Sequence, residues 1–276
     1  MGTLNQPPFT ESDLQAARQR LQDAGFPLTG QAAELQQLGT PEPFQTYTVA
    51  ASESLRAFQD TDDQRRDVKA ARRTADIVDR IAKWTGRTIR TGKGKPLKIA
   101  CEAGCNYCCS IRVNVLSAEV ASILEFIDTH FNDAQRMEIL DAVDQFVSIA
   151  SQLDPKTRFL KPMLCPLNKN GLCTVYDARP MACRSHHSFS VDQCRASFEN
   201  WEEDHPVTRS AMRKACSEAA VMALVDVLDF VELDPRSLEL PEALQIALQD
   251  PKADLDRAYI PAISEAALEP DLFKPR

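Results

Sequence analysis

The sequence predicts a mainly α protein, with helices arranged around an irregular, loop-rich core of cysteines suited to binding metal. Three observations carry this. Apolar residues recur at helical spacing through much of the chain, with no regular alternation of strand and helix patterns. Only 9 glycines are present, few for a barrel or a Rossmann-type sheet with many tight turns. Eight of the nine cysteines lie between Cys101 and Cys194, in segments rich in Pro and Gly.

In chain order, Ser12 to Ala24 reads as a helix stopped by Gly25, and Gln31 to Leu38 as a second short one. Pro41-Glu42-Pro43 reads as a loop. Ser52 to Trp84 is expected as one long helix, its stripe formed by Leu55, Phe58, Val68, Ala71, Ala75, Ile77, Val78, Ile81 and Trp84. Gly86, Gly92, Gly94 and Pro96 then break regular structure, and a basic loop leads to Cys101. Two helices follow the first cysteines. One is capped by Ser117 and buries Val120, Ile123, Leu124 and Ile127; the next is capped by Asn132 or Asp133 and runs through Met137, Leu140, Val143, Phe146 and Val147. After a turn at Asp154-Pro155 the second cysteine region shows no regular period. A helix from about Thr208 to Val231 and another near Pro241 to Leu248 complete the pattern, before Pro-punctuated turns. Three units are expected: a helical N-terminal region with a basic stretch at 1–97, a cysteine-cluster metal-binding domain at 98–195, and C-terminal helices at 196–276 packing on it.

The net charge of −8 argues against broad nucleic-acid binding. Twelve basic residues nevertheless crowd between Arg65 and Lys98 against only Asp67, Asp76 and Asp79, a local excess of nine. That stretch is expected to be a solvated face paired with the acidic remainder of the chain. The other reading is a surface for an acidic partner, RNA or a phosphate-bearing substrate, although no interleaved aromatics suggest base stacking. The partner is expected to be a protein or small molecule. No run approaches the ~18 apolar residues of a membrane span. Met1 to Gln6 has neither the regions of a signal peptide nor the Ser or Thr of a myristoylation pattern. The expected compartment is the cytoplasm.

Cytoplasmic thiols stay reduced, so clustered cysteines there more often bind metal or react than pair. The first element is Cys101-x3-Cys105-x2-Cys108-Cys109. Its thiolates can converge on one centre if the backbone turns tightly, and Gly104 gives the freedom to do so. The second element comprises Cys165, Cys173 and Cys183, with Cys194 eleven residues later. Loops this rich in Pro and Gly are costly to order, and ligation is a natural staple. The two intervening helices are expected to form a hairpin that returns the second set to the first. The candidate ligands are therefore Cys101, Cys105, Cys108, Cys109, Cys165, Cys173, Cys183 and Cys194. One arrangement uses Cys101, Cys105, Cys108 or Cys109, and Cys183, leaving the rest for a second site or redox work. Cys216, alone in a helical pattern, reads as a small buried hydrophobe.

With these residues in view, the segment from about 98 to 195 resembles the YkgJ family of cysteine-cluster proteins, whose CxxCxxCC domain is described as zinc- or iron-chelating. The resemblance rests on Cys101-x3-Cys105-x2-Cys108-Cys109, Cys165-Pro166-Leu167, Gly171-x-Cys173-x-Val175-Tyr176 and Arg179-Pro180-x-x-Cys183-Arg184. It implies metal binding and no particular reaction. Related cysteine domains in flagellin lysine N-methylases suggest an iron–sulfur cluster. Cys101-x3-Cys105-x2-Cys108, with Tyr107 before the third cysteine, also has the spacing of radical SAM enzymes. The absence of their β/α alternation and Gly-Gly-Glu segment argues against membership.

Arg179 and Arg184 flank Cys183 and are candidate cofactor-binding residues, able to neutralise thiolates or donate hydrogen bonds to cluster sulfurs. Their other reading is pairing with acids to fix the loop. Of His186 and His187, one at most is expected as a ligand, and a polar loop role is the simpler reading. Glu102 and Asp192 neighbour candidate ligands without further support. No nucleophile elbow, Walker loop, zincin helix or dinucleotide fingerprint is present, and no catalytic residue is assigned. The cofactor expected first is an iron–sulfur cluster or iron, with redox, sensing or modification roles. Zinc is the alternative, stapling an adaptor module, and metal storage or delivery is a third reading.

Overall fold

Thr10 opens the first helix with a reciprocal cap: its hydroxyl accepts the Asp13 N–H at 3.1 Å, and Asp13 accepts the Thr10 N–H at 2.8 Å. In the computed structural model, which describes residues 7–59 and 65–250, this helix is α1, Glu11–Asp23, with Leu14, Ala17 and Leu21 buried. Helix α2, Gln31–Gln37, follows. Helix α3 spans Glu42–Gln59 and α4 spans Arg66–Thr88.

The expected single helix over 52–84 is thus two helices, and α3 begins ten residues earlier, inside the expected Pro41-Glu42-Pro43 loop. Proline is tolerated in a first turn, where its missing N–H has no intrahelical partner. Residues 60–64 lie outside the described residues. In sequence they carry Asp60, Asp62 and Asp63, poor helix formers that an apolar-stripe argument passes over.

Helices α3 and α4 pack with α10, Ala211–Phe230, and with α1 in a first core. Tyr47 donates to Asp226 at 2.5 Å across α3 and α10. Ser54 and Thr74 share a buried hydrogen bond of 2.8 Å across α3 and α4. Cys216 lies fully buried in this core. Burial pushes its thiol up to about 11, as expected of a packed apolar residue.

The second core is built from α5, Ser117–His130, α6, Asp133–Ala150, and α11, Leu240–Gln249. Asn132 caps α6, its side chain accepting the Gln135 N–H at 3.0 Å. Leu116, not Ser117, is the flanking residue of α5; the Glu119 carboxylate accepts its N–H at 3.0 Å. Rather than relying on a self-contained hairpin, α5 and α6 both pack on α11. Strand β1, Asn114–Val115, pairs antiparallel with a later strand, Leu238–Glu239, and so fastens α11 beside α5. The C-terminal helices therefore divide, α10 joining the N-terminal bundle and α11 the cysteine-bearing half.

Short pieces carry or connect the cysteine segments. They are a 3₁₀ turn at Tyr107–Ser110, helix α7 at Pro155–Leu160 capped by Asp154, and the ribbon of β2, Asn168–Lys169, with β3, Leu172–Cys173. Helices α8, Met181–Ser185, and α9, Val191–Glu199, complete the set, and Leu238–Glu239 is β4. Among the described residues no helix is long and apolar enough to cross a membrane.

The basic stretch splits in two. Arg65 and Arg72 reach Glu125 at 2.6 and 2.8 Å, and Arg80 reaches Asp13 at 3.3 Å, the pairing expected. Lys83, Arg87, Arg90, Lys93, Lys95 and Lys98 are exposed, and none pairs with a carboxylate among the described residues. The Arg90 to Pro96 bridge turns the last of them back as a small loop just before Cys101.

Candidate metal centre

Eight cysteines come from four separated segments, and local chemistry shapes each segment. In the first, the Cys105 N–H donates to the Glu102 carbonyl at 3.1 Å, and Gly104 supplies a φ of +87°, a conformation that side-chain-bearing residues avoid. The 3₁₀ turn then presents Cys108 and Cys109 on successive residues. The second segment is a hairpin whose Asn170 and Gly171 have φ of +56° and +83°, the pair of left-handed residues that a tight two-residue hairpin requires. Asn168 closes it, accepting the Gly171 N–H at 3.0 Å. The register sets Asn168 opposite Cys173, with Cys165 just before the ribbon.

The two segments meet. The Cys165 N–H donates to the Cys109 carbonyl at 2.7 Å and the Met163 N–H to the Ser110 carbonyl at 3.0 Å. A Cβ placed on Gly171 would touch the Gly104 carbonyl oxygen at 3.6 Å. Cys183 arrives on α8, which hangs from α5 because Glu119 accepts the Met181 N–H at 2.8 Å.

Cys109, Cys165, Cys173 and Cys183 thus share one neighbourhood. Cys165, Cys173 and Cys183 pack against the second core. Burial first, and then the proximity of the other thiols of this quartet, raises all three; Cys165 is pushed up to about 12. Within the quartet Cys109 is the exception. The neighbouring Cys108 thiol and the Asn168 amide favour its thiolate, so Cys109 is lowered while Cys108 is raised.

Backbone donors point at the sulfurs. The N–H groups of Leu167, Val175 and Tyr107, each two residues onward, favour the thiolates of Cys165, Cys173 and Cys105. The Ser188 N–H reaches the Cys101 sulfur at 3.3 Å. A thiol is a weak acceptor, so these donors favour thiolate. Four crowded thiolates are in turn tolerable only beside a cation, so the donor set fits a thiophilic metal. Among the described residues no three Cys, His, Asp or Glu side chains stand in a finished ligating shell. The structure gathers the sulfurs into neighbourhoods.

Cys101, Cys105 and Cys194 lie apart from that quartet. Cys101 is exposed and Cys105 and Cys194 are half-buried. Cys105 is raised by burial, then by Cys101 and Cys194, despite the Tyr107 N–H. Of the arrangement of Cys101, Cys105, Cys108 or Cys109 with Cys183, Cys183 stands near Cys109 as well as Cys165 and Cys173, and Cys108 stands near both Cys101 and Cys183.

Arg184 donates to Asp79 at 2.5 Å and through Nε to the Arg179 carbonyl at 2.8 Å. Arg179 stacks on Tyr176, 3.9 Å from its ring centroid, and pairs with Asp79 at 3.5 Å. Its charge also favours the Cys173 thiolate. The pairing and the electrostatic reading thus coexist at Arg179, whereas Arg184 is committed to Asp79 and main-chain carbonyls. His187 is 2% exposed; its Nε2 accepts the Ser210 N–H at 2.8 Å, so Nδ1 carries the proton and donates to Ser185 at 3.0 Å. With both nitrogens engaged it is a structural residue. His186 is held down to about 4 by burial and by Arg209, His187 and Arg213.

Glu119, Asn168, Asp79, Ser188 and Arg213 were missed from sequence. Asn168 had a signal, the Asn170-Gly171 pair that marks a hairpin. Buried Arg213, which donates to the Arg184 carbonyl at 2.8 Å and whose burial is offset first by the nearby Cys101, had none.

Neither the curated proteins nor the solved structures searched contain a match to this chain. Residues 100–207 match the CxxCxxCC family model, described as "Putative zinc- or iron-chelating domain". The match supports metal binding and leaves the choice between the two metals open. The matched segment, 100 to 207, contains all eight of the gathered cysteines, and over that span the chain is similar to the CxxCxxCC family.

Proposed function

We propose that the cysteine core holds iron, as an iron–sulfur cluster on Cys109, Cys165, Cys173 and Cys183, and that the centre serves electron transfer, sensing or a modification reaction. The observation that carries this is the quartet itself: four thiols from three segments, with no histidine among them. Sulfur-only donor sets favour iron–sulfur clusters, zinc or copper(I). Such a cluster, when bound, supplies one-electron chemistry at a potential set by charge, burial and hydrogen bonds to sulfur. The chain's contributions are the Leu167 and Val175 N–H groups that favour the Cys165 and Cys173 thiolates, the Arg179 charge near Cys173, and the second core that keeps water from one side.

A zinc staple is the second reading, favoured by the way Cys165, Cys173 and Cys183 anchor a hairpin and a five-residue helix too short to persist alone. Anaerobic purification with an absorption spectrum and iron, sulfide and zinc analysis decides between them. Brown protein with iron and acid-labile sulfide is expected. Colourless protein with stoichiometric zinc, refractory to reconstitution with iron and sulfide, establishes the staple instead.

A further inference from the structure

The cations between the end of α4 and Cys101 serve neither core nor the thiols. No acidic residue lies between Asp79 and Glu102 in sequence. Lys83, Arg87, Arg90, Lys93, Lys95 and Lys98 are all exposed, and no carboxylate pairs with any of them among the described residues. The backbone that carries them is nevertheless tied down. The Thr91 N–H donates to the Lys95 carbonyl at 2.8 Å, the Gly94 N–H to the Thr91 carbonyl at 2.8 Å, and the Leu97 N–H to the Ile89 carbonyl at 3.2 Å. Gly94 takes the turn with a φ of +76°. Lys83 and Arg87, four residues apart, share one side of α4. Arg87 donates through Nε to the Lys83 carbonyl at 3.2 Å, and Arg90 donates to the Arg87 and Ile89 carbonyls at 2.7 and 2.9 Å, so both guanidinium groups are held at the helix end. The loop is pinned again where the Ala100 N–H donates to the Ser188 carbonyl at 2.9 Å, and exposed Cys101 follows directly.

Past Cys101 the surface changes sign. Glu102, Asp192, Glu199 and Glu202 are exposed. The Phe189 N–H donates to the Thr208 carbonyl at 3.2 Å and the Thr208 N–H to the Gln193 side chain at 2.9 Å, which holds the start of α9 and the segment after it beside the Ala100–Ser188 bond. We propose that the end of α4 and the basic loop form a docking surface for a protein partner that presents a carboxylate-rich segment. Arg87 and Arg90 offer planar donor pairs that match carboxylates, and the four lysines surround them with charge. Because the loop and both guanidinium groups are already held, little further ordering opposes binding. A nucleic-acid strand carries charge along its whole length and would run from the loop onto the acidic side, whereas a compact acidic patch meets the six cations without crossing it. Trp84, the one aromatic residue between Lys83 and Lys98, is half-buried and leaves no exposed ring for a base to stack on. Contacts of this kind steer encounter and fix orientation, and they weaken with salt. They would bring the partner to the Cys101 edge of the cysteine segments. The inference is independent of which metal those segments hold.

The test titrates the full chain, as purified, into a fluorescein-labelled oligo-glutamate peptide and follows anisotropy at low and physiological ionic strength. Single-stranded RNA of equal charge and phosphatidylserine vesicles are compared under the same conditions. The peptide should bind at low salt and bind roughly tenfold more weakly at physiological salt. Lys93→Glu/Lys95→Glu should weaken it by a further factor of about ten, with an unchanged far-ultraviolet circular dichroism spectrum. The milder Lys83→Gln/Lys98→Gln should show a smaller loss in the same direction. Lys156→Glu/Lys161→Glu, which reverses two exposed lysines on and beside α7, should bind as the parent does. Absence of peptide binding at low salt overturns the proposal. So does an equal loss in the α7 variant, which would make the attraction a property of total charge and not of this surface. RNA or vesicles held more tightly than the peptide through Lys93 and Lys95 overturn it in favour of a nucleic acid or a membrane.

Discussion

The Glu119 carboxylate accepts the main-chain N–H of Met181 at 2.8 Å, across 62 residues of sequence, and its second oxygen accepts the Leu116 N–H at 3.0 Å. One buried side chain therefore satisfies the start of α5 and the start of the helix that bears Cys183. Glu119→Ala removes both acceptors and leaves two buried donors unpaired, at a cost of about 2–4 kcal/mol. The urea midpoint should fall accordingly and zinc affinity should fall with it. Glu119→Gln keeps a carbonyl acceptor and should lose no more than about half as much.

Gly171 adopts a φ of +83°, and its turn sets the spacing of Cys165 and Cys173. Gly171→Val places a β-branched residue in that region and should destabilise the fold by about 1–2 kcal/mol. Chelator competition should show weaker metal retention, because Cys165 and Cys173 move with the turn.

His186 is held down to about 4 from an ordinary value of 6.5. Folding therefore favours its neutral form. The associated stability is complete above pH 6.5 and is lost as pH falls towards 4, on the order of 3 kcal/mol in all. Denaturant midpoints measured from pH 7 to 4 should show a smaller decline in His186→Gln than in the parent chain.

Arg179 offsets the burial of Cys173 while pairing with Asp79 at 3.5 Å. Arg179→Gln should leave the fold intact and raise the pH at which metal binding reaches half-saturation, since the thiol then ionises less readily. A titration of binding against pH reads that shift directly.

Cys216 is the control. It is buried among the helices of the first core and remote from the gathered thiols. Cys216→Ala should cost about 1–2 kcal/mol as a small cavity and leave metal stoichiometry unchanged. Loss of metal in that variant would remove the distinction between the lone cysteine and the other eight.

The helical half of this structure was legible because amphipathic periodicity is a strong local signal. Leu14, Ala17 and Leu21, or Val120, Ile123 and Ile127, sit where their spacing places them. The break between α3 and α4 was not, since apolar residues continue on both sides of it and an apolar-stripe argument passes over the aspartates between them. The site was legible as a set of ligand types and not as a grouping. Spacing brings Cys101, Cys105 and Cys108 together on paper. The pairing of Cys109 with Cys165, and of Cys101 with the Ser188 segment, is made by main-chain bonds between distant segments. Glu119 and Arg213 escaped notice for the same reason, because their partners lie across a tertiary boundary.

The hairpin from Cys165 to Cys173 also bears on when the quartet can assemble. These two thiols are eight residues apart, whereas Cys109 and Cys165 are separated by 56. Closing the longer loop costs about 2 kcal/mol more in chain entropy. A chain emerging from the ribosome can thus present a bidentate thiol clip as soon as residue 173 is free, with Cys183 arriving ten residues later. The amino-terminal ligand must then be recruited back across two helices, so metal captured early at the hairpin would act as a nucleus on which the rest of the domain closes.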